Sequence, residues 1–529
     1  MPDLVIAVDV GSSSARAGVF NADGLLLARA EAPFATAHPK TDHAEHSSDE
    51  IWAAVCHAVR GAVAAGHIAV QDIKGIAFDA TCSLVTLDRG GRPVTASATG
   101  DDRWNVIMWA DHRAAAEAEE ITATRHRVLD HVGNVMSPEM EIPKLLWLKR
   151  HCPNAWRRYG LVLDLTDYLT WKATGRVAVS TCTVTCKWTY LSHERHGWQS
   201  DFLSQVGLGD LQDRASLPAS TLPIGTSAGP LTAESADQLG LPRGCVVGVG
   251  AIDAHAGGIG MLGNLDATGL NETLAMIAGT SSCHMAASPD PRQIPGVWGP
   301  YYDAMLPGYW LNEGGQSATG SLLDHILDLH AEGRSLGADR HAVMAAQIEA
   351  ALTASGFTFV EDLHVLPDFH GNRSPLADPE SVGVIHGLRL DASPTSLTRL
   401  YFAAAVGIAL GTRHIIDTLN DAGYNIAHIR LTGGHAASPL LVQLYADAAG
   451  VAVSLPEQPD GVLLGTACAA AAGCGLYPSV TAAAAAMTRI GRTVQPAPAA
   501  RDFFDRRYRA FLMMHEHRRA LSQFASLKR

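Results

Sequence analysis

A chain of 529 residues is too long for one hydrophobic core, so two domains of similar size are expected. The formal charge of -13 argues against a nucleic-acid surface, which needs clustered Lys and Arg, and leaves small molecules open as ligands. The nine cysteines show no paired CxxC framework and suit reduced thiols, and Met1-Pro2-Asp3 leads straight into an apolar strand without a secretory pattern, so a cytoplasmic location is expected.

The first predicted element is the apolar run Leu4–Val10, closed by Gly11-Ser12-Ser13-Ser14 and followed by a strand over Ala15–Phe20. Asn21-Ala22-Asp23-Gly24 is a turn signal, with a third strand returning over Leu25–Ala28. His43, Glu45 and His46 read as a solvated loop rather than a metal site. Ser47 then caps a helix through Trp52 and Val59, with Asp49 and Glu50 in its first turn. Lys74–Phe78 is the next strand, and this order implies a mixed sheet with helices on its faces.

Farther along, Cys182 and Cys186 lack the further ligands that zinc needs. Val246–Val249 is a strand that runs into Ile252-Asp253-Ala254 at a helix start. Leu274–Ala278 ends in Gly279-Thr280-Ser281, the same strand-then-small-polar-turn logic as at Asp9. Ile429–Thr432 is stopped by Gly433-Gly434 ahead of a helix over Ser438–Ala446. The Ala-rich stretch from Thr466 to Met487 is the nearest thing to a membrane span, but Gly473, Gly475 and Pro478 interrupt it, so packed helices and no membrane are expected. A charged amphipathic helix closes the chain over Arg501–Leu527. The two openings point to a duplicated α/β architecture with a cleft between the copies and a boundary near residues 262–268.

Three turns carry the chemistry. Asp9 offers a carboxylate for a hydrated cation, and Gly11, Ser12 and Ser13 offer backbone N–H groups. Gly279 and Thr280 supply a second donor set, and Gly433-Gly434 lets a ligand approach the backbone closely. No GxxxxGK[ST] pattern is present, and the GxGxxG match at Gly258–Gly263 lies inside a helix, where glycines serve helix packing. Asp253, at the mouth of a strand and the start of a helix, is either a helix cap or a carboxylate that takes a proton from a substrate hydroxyl. His255 reads as a packed histidine and Cys82 as a small packing residue.

Five segments in order, Asp9–Arg16, Phe78–Ser83, Ala278–Ser282, Leu431–Ser438 and Leu464–Ala471, resemble the motifs of the actin–Hsp70–sugar kinase superfamily. Within it the chain resembles the FGGY carbohydrate kinases over essentially its full length, supported by Trp109–Arg113, Glu313–Ser317 and Gly371–Pro375, the last a rigid loop with no chemistry assigned. The resemblance implies an α/β fold of two ribonuclease H-like (actin-like ATPase) domains with mixed sheets flanked by helices. The sugar-binding domain would span residues 1–265, the nucleotide-binding domain 266–495 and a C-terminal helix 496–529, with the site in the interdomain cleft. It also implies ATP and Mg²⁺. Asp9 would position the metal, while Gly11, Ser12, Ser13, Arg16, Gly279, Thr280, Gly433 and Gly434 would hold the nucleotide. The connecting segments would form the hinge, and Asp253 becomes the catalytic base.

On the acceptor side, similarity to ribulokinases implies sugar contacts from Ala80, Trp109, Asp111, Lys187, Asp253 and Glu313, with His112 beside Trp109 and Gln316 beside Glu313. The segment Thr81-Cys82-Ser83-Leu84-Val85 resembles the D-ribulose kinase branch, with L-ribulose and ribitol used by neighbouring branches. The expected reaction is phosphoryl transfer from ATP to a terminal hydroxyl of D-ribulose. A nucleotide-dependent ATPase and a non-catalytic sugar sensor on the same fold are the rivals from other classes. A homodimer is expected by family analogy alone.

Overall fold

The computed structural model describes residues 3–526; Met1, Pro2 and the predicted helix end at Leu527 lie outside them. Leu4–Val10 is a strand buried along its whole length. The turn after Ser14–Asn21 is closed by the Gly24 N–H on the Asn21 carbonyl (3.1 Å), and the chain returns over Leu26–Pro33, a longer strand than predicted. Ser47 caps the helix Ser48–Ala65 as expected, accepting the Glu50 N–H on its hydroxyl.

These elements build a six-stranded sheet in the order Leu26–Pro33, Ser14–Asn21, Leu4–Val10, Ile73–Ala80, Val246–Ile252, Ser227–Pro230. The first three strands are antiparallel, the next two join in parallel, and the last edge is antiparallel again. A seven-stranded sheet repeats the scheme with one more strand at its start. Its order is Trp298–Tyr302, Trp310–Gln316, Ser282–Ser288, Thr273–Ala278, His428–Thr432, Ala452–Pro456, Ile490–Val494. Here too a run of antiparallel strands gives way to two parallel neighbours and an antiparallel edge. The duplicated, mixed-sheet architecture read from the two openings is what the chain adopts.

Two helices lie between the sheets. Gly461–Gly473 packs on Leu4–Val10, Ile73–Ala80 and Val246–Ile252, while Asp253–Leu262 packs on it and reaches Thr273–Ala278. Their axes approach closely because side chains are missing at the crossing. A Cβ on Gly260 would strike the Gly461 carbonyl, and one on Gly465 the Ala256 carbonyl. The GxGxxG match is therefore a helix-packing device.

The Ala-rich stretch falls in the mostly buried helix Gly461–Gly473 and the half-buried helix Val480–Met487. By length and apolarity, Arg340–Val360 and Pro394–Asp421 meet the spanning criteria better than that stretch, and 78% of the latter's most apolar window is buried inside the protein. The C-terminal helix Arg501–Ser526 packs on elements of the second half, including Pro394–Asp421, Pro439–Ala449 and His364–Leu366. In both sheets the carboxyl ends of the central parallel strands open onto one cavity, the usual place for a site in such sheets.

Candidate active site

The cavity holds about 540 Å³ and draws its walls from both halves of the chain. From the first sheet, the turn after Leu4–Val10 contributes Asp9, Gly11, Ser12 and Arg16. Antiparallel pairing sets Asp9 directly opposite Arg16, and the two form an ion pair. The Gly11 N–H is engaged by the Ser14 carbonyl (3.0 Å), so it is not a free donor as predicted. Ser13 is exposed and does not line the cavity; its carbonyl receives the Phe34 N–H.

Asp9 is buried, and burial raises its pKa; Arg16 opposes the rise, while Asp253 and Asp460 add to it. Its neighbour across the parallel pair, Asp79, is also raised, by burial and by Asp9. Thr466 donates to Asp79, tying the end of the strand Ile73–Ala80 to the helix Gly461–Gly473 and linking the two predicted hinge segments. Among the described residues, Asp9 Oδ1 and Asp79 Oδ1 are buried without hydrogen-bonding partners, while Asp9 Oδ2 faces Arg16. Gathered carboxylates with unmet lone pairs suit a divalent cation, so the residues present fit Mg²⁺.

From the second sheet come Gly279, Thr280, Ser281, Gly433 and Gly434. The carbonyls of the 279–280 turn are bound by Thr319–Ser321: Gly320 N to Gly279 O at 2.9 Å, and Thr319 N to Thr280 O at 3.0 Å. A Cβ on Gly279 would meet nothing within 4 Å, and one on Gly434 only Gly279 Cα at 3.9 Å and the Ala278 carbonyl at 4.0 Å. That open space is a cradle for a ligand against bare backbone. Gly433 differs: its φ is +91° and a Cβ would press on the Ala278 carbonyl at 2.5 Å, so the fold itself requires glycine there.

Asp253 stands between these groups and the rest of the cavity. It is the first residue of the helix Asp253–Leu262, whose cap is Ile252, and its carboxylate accepts the Ala254 N–H at 2.6 Å. It is thus not the helix cap, one of the two roles open from the sequence. Burial raises its pKa, opposed by the Ala254 N–H, Arg16 and Lys187, while Glu313 adds to the rise. It therefore feels both the Arg16 side and the Lys187–Glu313 side of the cavity.

The opposite end is a ring of aromatic and charged side chains. Trp109 donates through Nε1 to Ser12 Oγ (2.9 Å) and through its backbone N–H to Ser83 Oγ (3.1 Å), coupling this end to the Asp9 turn. Lys187 is 2% exposed, which excludes a surface lysine, and its Nζ lies 4.1 Å from the Trp298 ring centre and 4.0 Å from Glu313. Thr81 and Cys82 also line the cavity, and burial raises the Cys82 thiol, which fits no nucleophile.

Several predicted residues sit elsewhere. Ala80 is the last residue of its strand and lies in the core behind the cavity. Asp111 is buried away from it, bound by Arg113 at 2.8 and 2.7 Å and by the Ala44 N–H at 2.6 Å. Gln316 turns into the second half, donating to the Ile408 carbonyl and to Thr412. His43, Glu45 and His46 are buried rather than solvated, with Glu45 paired to Arg113 at 2.8 Å. Cys182 and Cys186 do have a third potential ligand, His255, within 4.8 Å. Cys186 Sγ lies 3.2 Å from His255 Nε2, and burial keeps the thiol protonated and the imidazole neutral, a thiol-to-imidazole hydrogen bond in a packed interior.

Among the lining residues to which the sequence assigns no role are Glu139, Trp298, Arg373 and Asp460. Asp460 caps the helix Gly461–Gly473 through the Leu463 N–H. Arg373 belongs to the Gly371–Pro375 loop, to which no chemistry had been assigned.

Residues 4–260 match the N-terminal domain, and residues 274–474 the C-terminal domain, of the FGGY family of carbohydrate kinases. The chain is 45% identical to an FGGY carbohydrate kinase domain-containing protein of Danio rerio, over 97% of each. It is 37% identical to a D-ribulokinase of Saccharomyces cerevisiae, over 88% of this chain and 71% of that one. Among solved structures, xylulose kinase from Rhodospirillum rubrum shares the fold with a TM-score of 0.78 at 24% identity, covering 98% of this chain and 99% of that one.

Proposed function

The chain belongs to the FGGY family of carbohydrate kinases, and on that footing we propose that it transfers the terminal phosphoryl group of ATP to the terminal hydroxyl of a pentulose, D-ribulose first among them. The observation that carries this reading is Asp253, placed in one cavity between a small-residue cradle and a ring of sugar-sized polar contacts.

Each residue has a defined task. Gly279 and Gly434 leave room for the nucleotide against the backbone, and Arg16 faces its phosphates. Mg²⁺, held at Asp9, would offset phosphate charge. Trp109 gives the sugar an apolar face, while Lys187 and Glu313 donate to and accept from its oxygens. Asp253 takes the proton of the attacking hydroxyl, and burial makes its carboxylate more basic than one in water. Closure of the two halves around bound substrates would keep water from competing as acceptor. D-ribulose is supported by the Thr81–Val85 segment and by the similarity to the yeast D-ribulokinase. The nine unpaired thiols support a cytoplasmic setting.

The test is turnover with MgATP and a panel of D-ribulose, L-ribulose, D-xylulose, ribitol and glycerol. The highest kcat/KM is expected for D-ribulose, and a higher value for glycerol or D-xylulose contradicts the assignment.

A further inference from the structure

Arg373 reaches the acceptor end of the cavity from the second half of the chain, and its side chain is only 8% exposed. Its Nη2 lies 3.3 Å from both oxygens of Glu139, a residue of the first half. The guanidinium carbon stands 5.9 Å from the Trp109 ring centre and 5.4 Å from that of Trp298, so the cation is wedged between one ring from each half. Glu139 is itself held, because Lys144 donates to its backbone carbonyl (3.2 Å) and to that of Trp109 (3.3 Å). Beside it, His112 lies 3.8 Å from Glu139 and stacks on His370 of the second half, with ring centres 5.7 Å apart.

Arg373 Nη1 lies 3.8 Å from Cys283 Sγ, but among the described residues Arg373 Nε is buried without a hydrogen-bonding partner, as is His112 Nε2. A buried guanidinium N–H with no acceptor costs free energy, and in a residue lining a cavity the natural acceptor is a ligand oxygen. Charge narrows the ligand class. Of the residues lining this end, Arg373 and Lys187 are cations and Glu139 and Glu313 anions, and Lys144 behind them is paired with Glu141, so the ring carries no surplus positive charge. It suits a neutral polyhydroxyl compound and disfavours the carboxylate of a sugar acid.

We propose that Arg373 is an acceptor-binding residue that hydrogen-bonds sugar oxygens remote from the reacting hydroxyl. Glu139 is its positioning partner, so the acceptor is gripped only when the two halves meet and neutral sugars are preferred over aldonates. This rests on the kinase reading above, and binding measured without turnover separates the two. If the unmodified protein phosphorylates no pentulose, the kinase reading fails; if it does so while the variants below behave as wild type, only the present inference fails.

The experiment is calorimetric binding of D-ribulose and D-ribonate to the full chain, with steady-state kinetics, for Arg373→Lys, Arg373→Ala and Glu139→Gln. Thermal melts establish that each is folded. Losing a charge-assisted hydrogen bond predicts a pentulose KM raised about 10- to 100-fold in Arg373→Ala, with the ATP KM within about twofold of wild type and partial recovery in Arg373→Lys. Glu139→Gln frees the cation, so ribonate, excluded by the wild type, is expected to bind at least about 10-fold more tightly, a gain that loosened packing does not produce. An unchanged pentulose KM in folded Arg373→Lys and Arg373→Ala, or unchanged ribonate binding in folded Glu139→Gln, overturns the proposal.

Discussion

The two sheets share one strand scheme but bring opposite chemistry to the cavity. At the carboxyl ends of the first sheet's strands stand Asp9, Asp79 and Asp253, all buried or nearly so. At the ends of Thr273–Ala278 and His428–Thr432 in the second stand Gly279, Thr280, Ser281, Gly433 and Gly434, none of them ionisable, and the next strand, Ala452–Pro456, leads to Asp460. A duplicated scaffold thus supplies three carboxylates on one side and, Asp460 apart, small polar residues and bare backbone on the other. In the proposed reaction, that difference sets Asp253 as the base and Asp9 as the cation site opposite a cradle for the nucleotide. The second half also sends Glu313 and Arg373 across to the acceptor end, so neither half completes that end alone.

The comparison breaks most sharply at the carboxylates that look alike in sequence. Asp111 was read as a sugar contact, yet its partners are Arg113 and the Ala44 N–H. Asp111→Ala leaves Arg113 with only Glu45 as a carboxylate partner in the interior. A stability loss of about 3–5 kcal/mol is expected, seen as a lowered denaturation midpoint, with the sugar KM of the folded fraction little changed. A normal midpoint with a lost sugar KM would return Asp111 to the site.

The two neighbouring glycines sharpen the picture on the other side. Gly433→Ala must adopt φ +91° and press on the Ala278 carbonyl, so a loss of about 2 kcal/mol or more in stability is expected. Gly434→Ala projects into open space, so its midpoint should hold while the ATP KM rises by about 10-fold, the cost of an extra methyl in a filled site. Reversed outcomes would place the cradle at Gly433.

The smallest effect is in pH. Burial raises Asp253 above the ordinary 3.8 of a carboxylate. The base works ionised, so kcat should fall as pH drops through that raised value, with the acid limb above pH 3.8. An acid limb at or below 3.8 would show a solvated carboxylate.

Much of this was legible because strands that end in small polar turns leave a strong local signature. Asp9, Gly279 and Gly433 follow apolar runs, and the turns lie where such runs stop. Asp253 was legible as a strand-to-helix junction, though its role needed its neighbours. Errors came from strand alternation and from distant partners. Glu313 and Gln316 are three residues apart on one strand, so they point to opposite faces, and only Glu313 meets the cavity. His43, Glu45 and His46 look solvated until distant partners cover them: Trp147 packs on His43, Phe34 on His46, and Arg113, 68 residues beyond Glu45, pairs with it. Glu139 and Arg373 are 234 residues apart in irregular segments, where no periodicity announces a contact.

The proposed role of Asp253 is to take the proton of the acceptor hydroxyl during phosphoryl transfer. ADP release with MgATP, measured with and without D-ribulose in the wild type and in Asp253→Asn, tests it most directly. Release should depend on the sugar and fall about 10²- to 10⁴-fold in Asp253→Asn with D-ribulose binding retained. Sugar-independent release, or full activity in Asp253→Asn, would contradict it.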